Sequence, residues 1–262
     1  MSKSAQVDPG DLPDIPLSEN AFLGGRVQLL QPRKGYRAGV DAVFLAASIP
    51  AKAGQKVLEL GTGTGAVLSC LSARVDGVWV SGLELQPDYG RLAAENLRRN
   101  KCRGVILIGD LCDMPPDLRE KSFDHVCANP PYYGQGQATR AADAGKGTAH
   151  HEETPLNDWV NAGLRRLRPG GTISIIQRAD RLVEILAALE KASGKITILP
   201  IAARTGRPAG RVIVQATKGH RAATRLLAPF ILHRGDRHIS DADDYSDAAT
   251  AILREGGALD LD

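Results

Sequence analysis

The residues best placed to do chemistry are Asn129-Pro130-Pro131-Tyr132, which follow directly on the apolar run Phe123–Ala128. Neither proline can donate an N–H, and each fixes its own φ, so a regular element must end here. The residue before a proline is pushed into the extended region, so Asn129 leaves the strand extended. The stretch therefore offers a side-chain amide oxygen, a carbonyl acceptor at Pro130 and an aromatic ring two residues on. An amine on a flat ring suits that set. Asn129 and Pro130 can each accept one N–H, freeing the nitrogen lone pair from conjugation. Tyr132 can stack on the ring, a contact worth roughly 1–3 kcal/mol per base. Taken alone, the stretch also fits a turn followed by a surface tyrosine.

A second set lies upstream. Glu59-Leu60-Gly61-Thr62-Gly63-Thr64-Gly65 follows a short apolar strand, and its glycines permit a sharp turn and close approach to a ligand. The spacing is GxGxG, tighter than the GxGxxG of dinucleotide sites, and Glu59 is a poor neighbour for a diphosphate. Nineteen residues beyond Gly65, at the end of the next strand, stands Glu84, placed to accept both hydroxyls of a ribose. Asp110 ends the third strand and could accept from an adenine amino group.

These residues require a scaffold, and strands and helices alternate from Lys56 onward. Strands are predicted at Val57–Leu60, Val78–Leu85, Val105–Gly109, Phe123–Ala128, Thr172–Gln177, Ile196–Ile201 and Arg211–Ala216. Helices are predicted at Ala66–Val75, Pro87–Asn100, Leu156–Leu167 and Arg181–Lys191, with Arg168-Pro169-Gly170-Gly171 stopping the third. Such alternation implies an α/β chain with a mostly parallel sheet and helices on both faces. Ala202–Gly210 is too short for a crossover helix, so the last strand should be antiparallel. Ligands of such sheets bind beyond the carboxyl ends of the strands, where all the groups above fall. Upstream, Phe22–Gln31 reads as a short strand pair around Gly24-Gly25. Asp41 reads as the N-cap of an apolar helix, with a ligand contact as the lesser possibility. Residues 1–20 read as a mobile arm and 21–262 as one domain, with 21–50 an extension to it.

Composition adds bounds. At 43% hydrophobic residues, 262 residues can bury a sizeable core, and the net charge of +3 does not announce nucleic acid by itself. Cys70, Cys102, Cys112 and Cys127 form no CxxC pair, which fits reduced thiols in a cytoplasm. Asp8, Asp11, Asp14 and Glu19 interrupt the start, so no signal peptide is expected there, and no apolar run is long enough for a membrane span. The Gly/Ala-rich stretch Gly134–Glu153 reads as a mobile, functional loop carrying Arg140, Lys146, His150 and His151. With Arg178, Arg204, Arg207 and Arg211 it rings the mouth with positive charge, which suggests a phosphate backbone. Solvated loop charge is the plainer alternative. Arg98, Arg99, Lys101 and Arg103 should lie at the opposite edge. His150-His151 with Glu152-Glu153 lacks the further ligands a metal site needs, so no metal is expected. Trp159, Leu164 and Leu167 fall on one helix face and read as core.

VLELGTGTG, Glu84, Gly109-Asp110 and ANPPYY, in that order and spacing, resemble the class I S-adenosylmethionine-dependent methyltransferases. Within these, the chain resembles the NPPY group, which methylates amino groups of planar substrates. GYRAGVDAVFLAAS before the glycine loop, and Tyr245-Ser246 opening a last helix, resemble the bacterial valine-tRNA adenine-N6 methyltransferases. The resemblance runs from about Phe22 to Arg254. It implies a Rossmann-like fold with a seven-stranded sheet and S-adenosylmethionine as cofactor. Gly61, Gly63 and Gly65 would line its methionine part, Glu84 and Leu85 its ribose, Asp110 and Leu111 its adenine, with Gly39, Asp41, Glu59 and Asn129 beside it. Asn129, Pro130, Pro131 and Tyr132 would hold the target amine. Arg37, Arg140, Lys146, Arg178, Arg204 and Arg207 would face the RNA. The implied reaction is methylation of an adenine N6 in RNA, foremost in a tRNA anticodon loop. The alternatives are a ribosomal-RNA amino group and the glutamine of a termination factor. The glutamine enzymes usually carry a helical domain ahead of the glycine loop, for which few residues precede it here. A nicotinamide dehydrogenase is disfavoured by the glycine spacing, and a catalytically idle RNA-binding module has no need of NPPY.

Overall fold

The computed structural model describes residues 5–132, 154–190, 193–220, 222–235 and 244–261. β1 (Ala5–Gln6), β2 (Leu17–Phe22), β3 (Val27–Pro32) and α1 (Val40–Ser48) come first. The alternating part begins with β4 (Lys56–Leu60), α2 (Ala66–Arg74), β5 (Trp79–Glu84), α3 (Pro87–Arg99) and β6 (Gly104–Ile108). It continues with α4 (Pro116–Arg119), β7 (Phe123–Ala128), α5 (Leu156–Arg166), β8 (Leu167–Arg178) and α6 (Leu182–Leu189). β9 (Ser193–Ala202), β10 (Ala209–Lys218), β11 (Arg225–Leu226), β12 (Phe230–Ile231) and α7 (Asp247–Glu255) complete it.

The large sheet has the order β1-β6-β5-β4-β7-β8-β10-β9-β11, with β12 also on β9. β6, β5, β4, β7 and β8 run parallel, while β10 lies antiparallel to both β8 and β9. The seven long strands of this sheet, the late antiparallel β10 among them, are those expected from the sequence. β1, β11 and β12 were not foreseen, because two-residue strands carry no periodicity. β2 and β3 pair separately as a hairpin around Leu23–Gly25.

Three local expectations are corrected. Residues 1–20, read as an arm, contribute β1, which pairs antiparallel with the edge strand β6, and most of β2. An otherwise open sheet edge explains this, since its unpaired backbone groups recruit a strand. Asp41 is not the cap of α1: Gly39 is, and Asp41 sits in the first turn, where a carboxylate still suits the helix dipole. Arg168-Pro169-Gly170-Gly171 do follow the end of α5 but enter the start of β8, with Gly170 at φ +75° and a register shift against β7.

Each face of the sheet is covered. One layer gathers Phe44, Leu45, Leu68, Leu71 and Ile252 from α1, α2 and α7, and the other gathers Trp159, Val160, Leu164 and Ile185 from α5 and α6. Trp159, Leu164 and Leu167 are buried as expected, although Leu167 belongs to β8. Among the described residues no helix is long and apolar enough to cross a membrane.

Candidate active site

Strand order reverses between β4 and β7, the point where open α/β sheets bind ligands. Leu60 is in register with Ala128, so Gly61 and Asn129 leave the sheet side by side. The two sets of residues singled out in the sequence therefore share one crevice.

On the β4 side, Gly61, Gly63 and Gly65 all take left-handed conformations, at φ +64°, +54° and +75°. Their bare Cα atoms are also needed for space. A Cβ on Gly61 would lie 2.5 Å from Trp159 Cη2, one on Gly63 3.0 Å from Tyr36 Cε1, and one on Gly65 3.1 Å from Leu97 Cδ1. Trp159 thus walls the loop from below and the exposed Tyr36 from the side. Trp159 reads from the sequence as core, and no local signal joins it to Gly61, about a hundred positions away.

The acids play distinct parts. Glu59 is buried, and its Oε2 accepts from Thr62 Oγ1 at 2.6 Å, so it braces the loop from within. Burial pushes its carboxyl well above the usual range, against the Thr62 hydrogen bond, with Glu84 adding to the rise. Glu84 accepts from the Gly63 amide at 2.8 Å and the Gln86 amide at 3.0 Å, which fixes its head at the strand end. Asp110 is exposed and accepts from the Cys112 amide at 2.8 Å. Leu85, Gly61, Asp110 and Leu111 line one recess, and Leu85 and Asp110 also border a cleft of about 550 Å³ with Ile15, Lys34 and Tyr89. Gly39 is exposed and caps α1, its carbonyl accepting from the Ala42 amide. A glycine cradle, a fixed carboxylate and an apolar recess ending in a second carboxylate fit S-adenosylmethionine.

On the β7 side, Asn129 Oδ1 is buried and has no hydrogen-bond partner among the described residues. Buried acceptors are seldom left unsatisfied, so this oxygen marks a place for an incoming donor. Pro130 carbonyl accepts from Gln177 Nε2 at 3.2 Å, and Pro131 carbonyl lies 3.5 Å from the same nitrogen. Tyr132 donates its hydroxyl to Asp41 Oδ2, and the Arg211 guanidinium lies 4.5 Å over its ring while donating to the same carboxylate oxygen at 3.1 Å. Burial and the Asp41 carboxylate raise the Tyr132 pKa, so the hydroxyl stays a donor. Gln177 and the Asp41–Arg211 support went unnoticed in the sequence.

The arginines divide. Arg207 is exposed in the turn between β9 and β10. Arg178 pairs with Asp180 at the surface. Arg37 is held by Pro32 carbonyl at 2.9 Å, Ser18 Oγ at 2.8 Å and Asn20 Oδ1 at 2.9 Å. Arg204, expected to face RNA, is buried and bound to the Asp244 carboxylate and the Arg234 carbonyl. Its charge is spent on tying the chain beyond β12 to the end of β9. Arg140, Lys146, His150, His151, Glu152 and Glu153 lie outside the described residues. Among the described residues no group of three or more His, Cys, Asp or Glu could hold a metal.

The family described as methyltransferase small domain matches residues 38–202. The chain is 30% identical to a tRNA1(Val) (adenine(37)-N6)-methyltransferase of Actinobacillus succinogenes, over 62% of this chain and 69% of that one. It is 31% identical to the enzyme of the same name from Actinobacillus pleuropneumoniae serotype 7, over 68% and 75%. The crystal structure of a predicted O-methyltransferase from Agrobacterium tumefaciens shares the fold, with a TM-score of 0.68 at 24% identity over 84% of this chain and 98% of that one.

Proposed function

From the premise that this chain belongs to the methyltransferase small domain family, we propose that it methylates the exocyclic N6 of an adenine in tRNA, in the anticodon loop, using S-adenosylmethionine. The observation that carries this reading is the buried Asn129 Oδ1, without a hydrogen-bond partner among the described residues, on a residue that leaves the sheet beside the glycine loop.

When bound, the cofactor supplies a methyl group on a positively charged sulfur. The protein's part is to position the acceptor. The Asn129 oxygen and the remaining lone pair of the Pro130 carbonyl take the two amine hydrogens, which turns the nitrogen lone pair toward the cradle of Gly61, Gly63 and Gly65. Tyr132, with Arg211 over one face, offers its other face to a base. Glu84 takes the ribose hydroxyls, and Leu85, Asp110 and Leu111 take the cofactor's adenine. A loop nucleotide is already unstacked, so drawing it into the crevice costs less than opening a duplex.

The test uses methyl-labelled S-adenosylmethionine with total tRNA in one arm and translation termination factors in the other, followed by digestion and identification of the product. N6-methyladenine from the tRNA arm is expected. Label confined to protein glutamine would overturn the reading, since a carboxamide can use the same two acceptors.

A further inference from the structure

We propose that Gln177 is a positioning residue for methyl transfer, which holds the Pro130 carbonyl in line with Asn129 Oδ1. The inference rests on the amine-methylating reading above. The two prolines create a gap. Pro130 and Pro131 have no N–H, so the hydrogen-bond ladder between β7 and β8 ends at the Ala128–Ile175 pair. Nothing in that ladder then fixes the peptide that carries the Pro130 carbonyl.

The Gln177 side chain fills the gap. It lies near the end of β8, 0% exposed, two residues past the last ladder pair. Its Nε2 donates to Pro130 carbonyl at 3.2 Å, with Pro131 carbonyl at 3.5 Å. Its Oε1 accepts from the Arg178 amide at 2.9 Å. That second bond decides which way the amide points, because an oxygen on the proline side would face two carbonyl acceptors. A carbonyl has two lone pairs, and Gln177 occupies one on Pro130. The other is left for the substrate amine, beside the unpartnered Asn129 oxygen. Position matters here because displacement of an acceptor by about 1 Å can cost a hundredfold in rate.

Two near-isosteric variants test this. Gln177→Met keeps the volume and removes the donor. Gln177→Glu keeps the shape but places an oxygen against the two carbonyls, and donates only when its carboxyl is protonated. With saturating cofactor and tRNA, Gln177→Met is expected to lose about 10–100-fold in kcat. Its S-adenosylmethionine affinity should stay within about threefold of wild type, because the glycine cradle and Glu84 are untouched. Gln177→Glu should recover activity relative to wild type as pH is lowered from about 9 to about 6, while the Gln177→Met ratio stays flat. Wild-type kcat in Gln177→Met, equal losses in both variants at every pH, or losses that only track the fraction of folded protein would each overturn the role. Wild-type turnover of tRNA, measured alongside, tests the functional reading separately.

Discussion

The two ends of the sheet use similar residues to opposite ends. At the strand starts, polar side chains are spent on one another. His125 Nδ1 meets Thr172 Oγ1 at 2.6 Å and its Nε2 meets Gln55 Oε1 at 2.9 Å, while Asp124 accepts from the Lys56 amide and pairs with Arg168. Arg98 grips Glu95 through two hydrogen bonds, and Arg99 pairs with Glu19. At the strand ends, Asn129 Oδ1 has no partner among the described residues, three glycines hold left-handed conformations, and Asp110 stands exposed. The closed end holds the sheet together, and the open end leaves polar groups for ligands. The charges at the mouth are not uniformly free, since Arg204 is buried against Asp244 and the exposed Arg37 is tied to the Pro32 carbonyl.

The largest expected effect breaks the open end at its unpartnered acceptor. Asn129→Ala should cost at least about a hundredfold in kcat, the scale of losing one well-placed polar group at a reacting centre. Calorimetric affinity for S-adenosylmethionine should remain close to wild type. Normal turnover would reduce NPPY to a turn.

Next comes the glycine cradle, where a paired comparison separates backbone strain from contact. Gly61→Ala meets a left-handed φ and Trp159, whereas Gly170→Ala meets a left-handed φ and no described residue within 4 Å. Both should lose about 1–2 kcal/mol of stability to the backbone conformation. Only Gly61→Ala should lose more than that, and lose cofactor binding with it. Equal denaturation midpoints and equal cofactor affinities would contradict the cradle.

Glu84→Ala should weaken the cofactor by about 1.5–3 kcal/mol through its charge-assisted bonds to hydroxyls, read by calorimetry. An unchanged Kd would remove Glu84 from the site.

The closed end makes a prediction of its own. Burial lowers the His125 pKa to about 4, so the folded protein holds a neutral ring that the unfolded chain protonates near 6.5. Stability from this group is complete above about pH 6.5 and is lost as pH falls toward 4, by up to about 1.4 kcal/mol per pH unit. Urea melts of wild type and His125→Gln across that range should converge as pH falls. Parallel curves would show that His125 does not titrate as described.

How much of this was legible beforehand follows the range of the forces. Phe123–Ala128 matches β7 at both ends because a local event, the prolines, terminates it. The glycine loop, Glu84 and Asp110 were likewise fixed by strand ends a few residues away. What escaped notice depends on partners far along the chain: Trp159 against Gly61, Gln177 under Pro130, Asp244 on Arg204, and Asp41 with Arg211 around Tyr132. A long arginine reads the same whether it meets solvent or a buried carboxylate. For that reason Arg204 was grouped with Arg207, and only the tertiary structure separates them.

That separation sharpens the smallest expected effect. Arg207→Ala should reduce the salt dependence of tRNA binding by about one unit of slope, and Arg99→Ala should leave it unchanged. Equal effects at the two ends would mean that RNA does not approach the mouth.

Whether Asn129 and Pro130 read an exocyclic amine can be measured on a substrate that lacks one. An anticodon stem-loop accepted by the enzyme is prepared with its target adenine replaced by purine, which keeps the ring and lacks the amine. The adenine loop should yield N6-methyladenine, and the purine loop should bind yet accept no methyl group. Methyl transfer to the purine loop, or a methyl group found on a ring nitrogen of the adenine loop, would contradict the account.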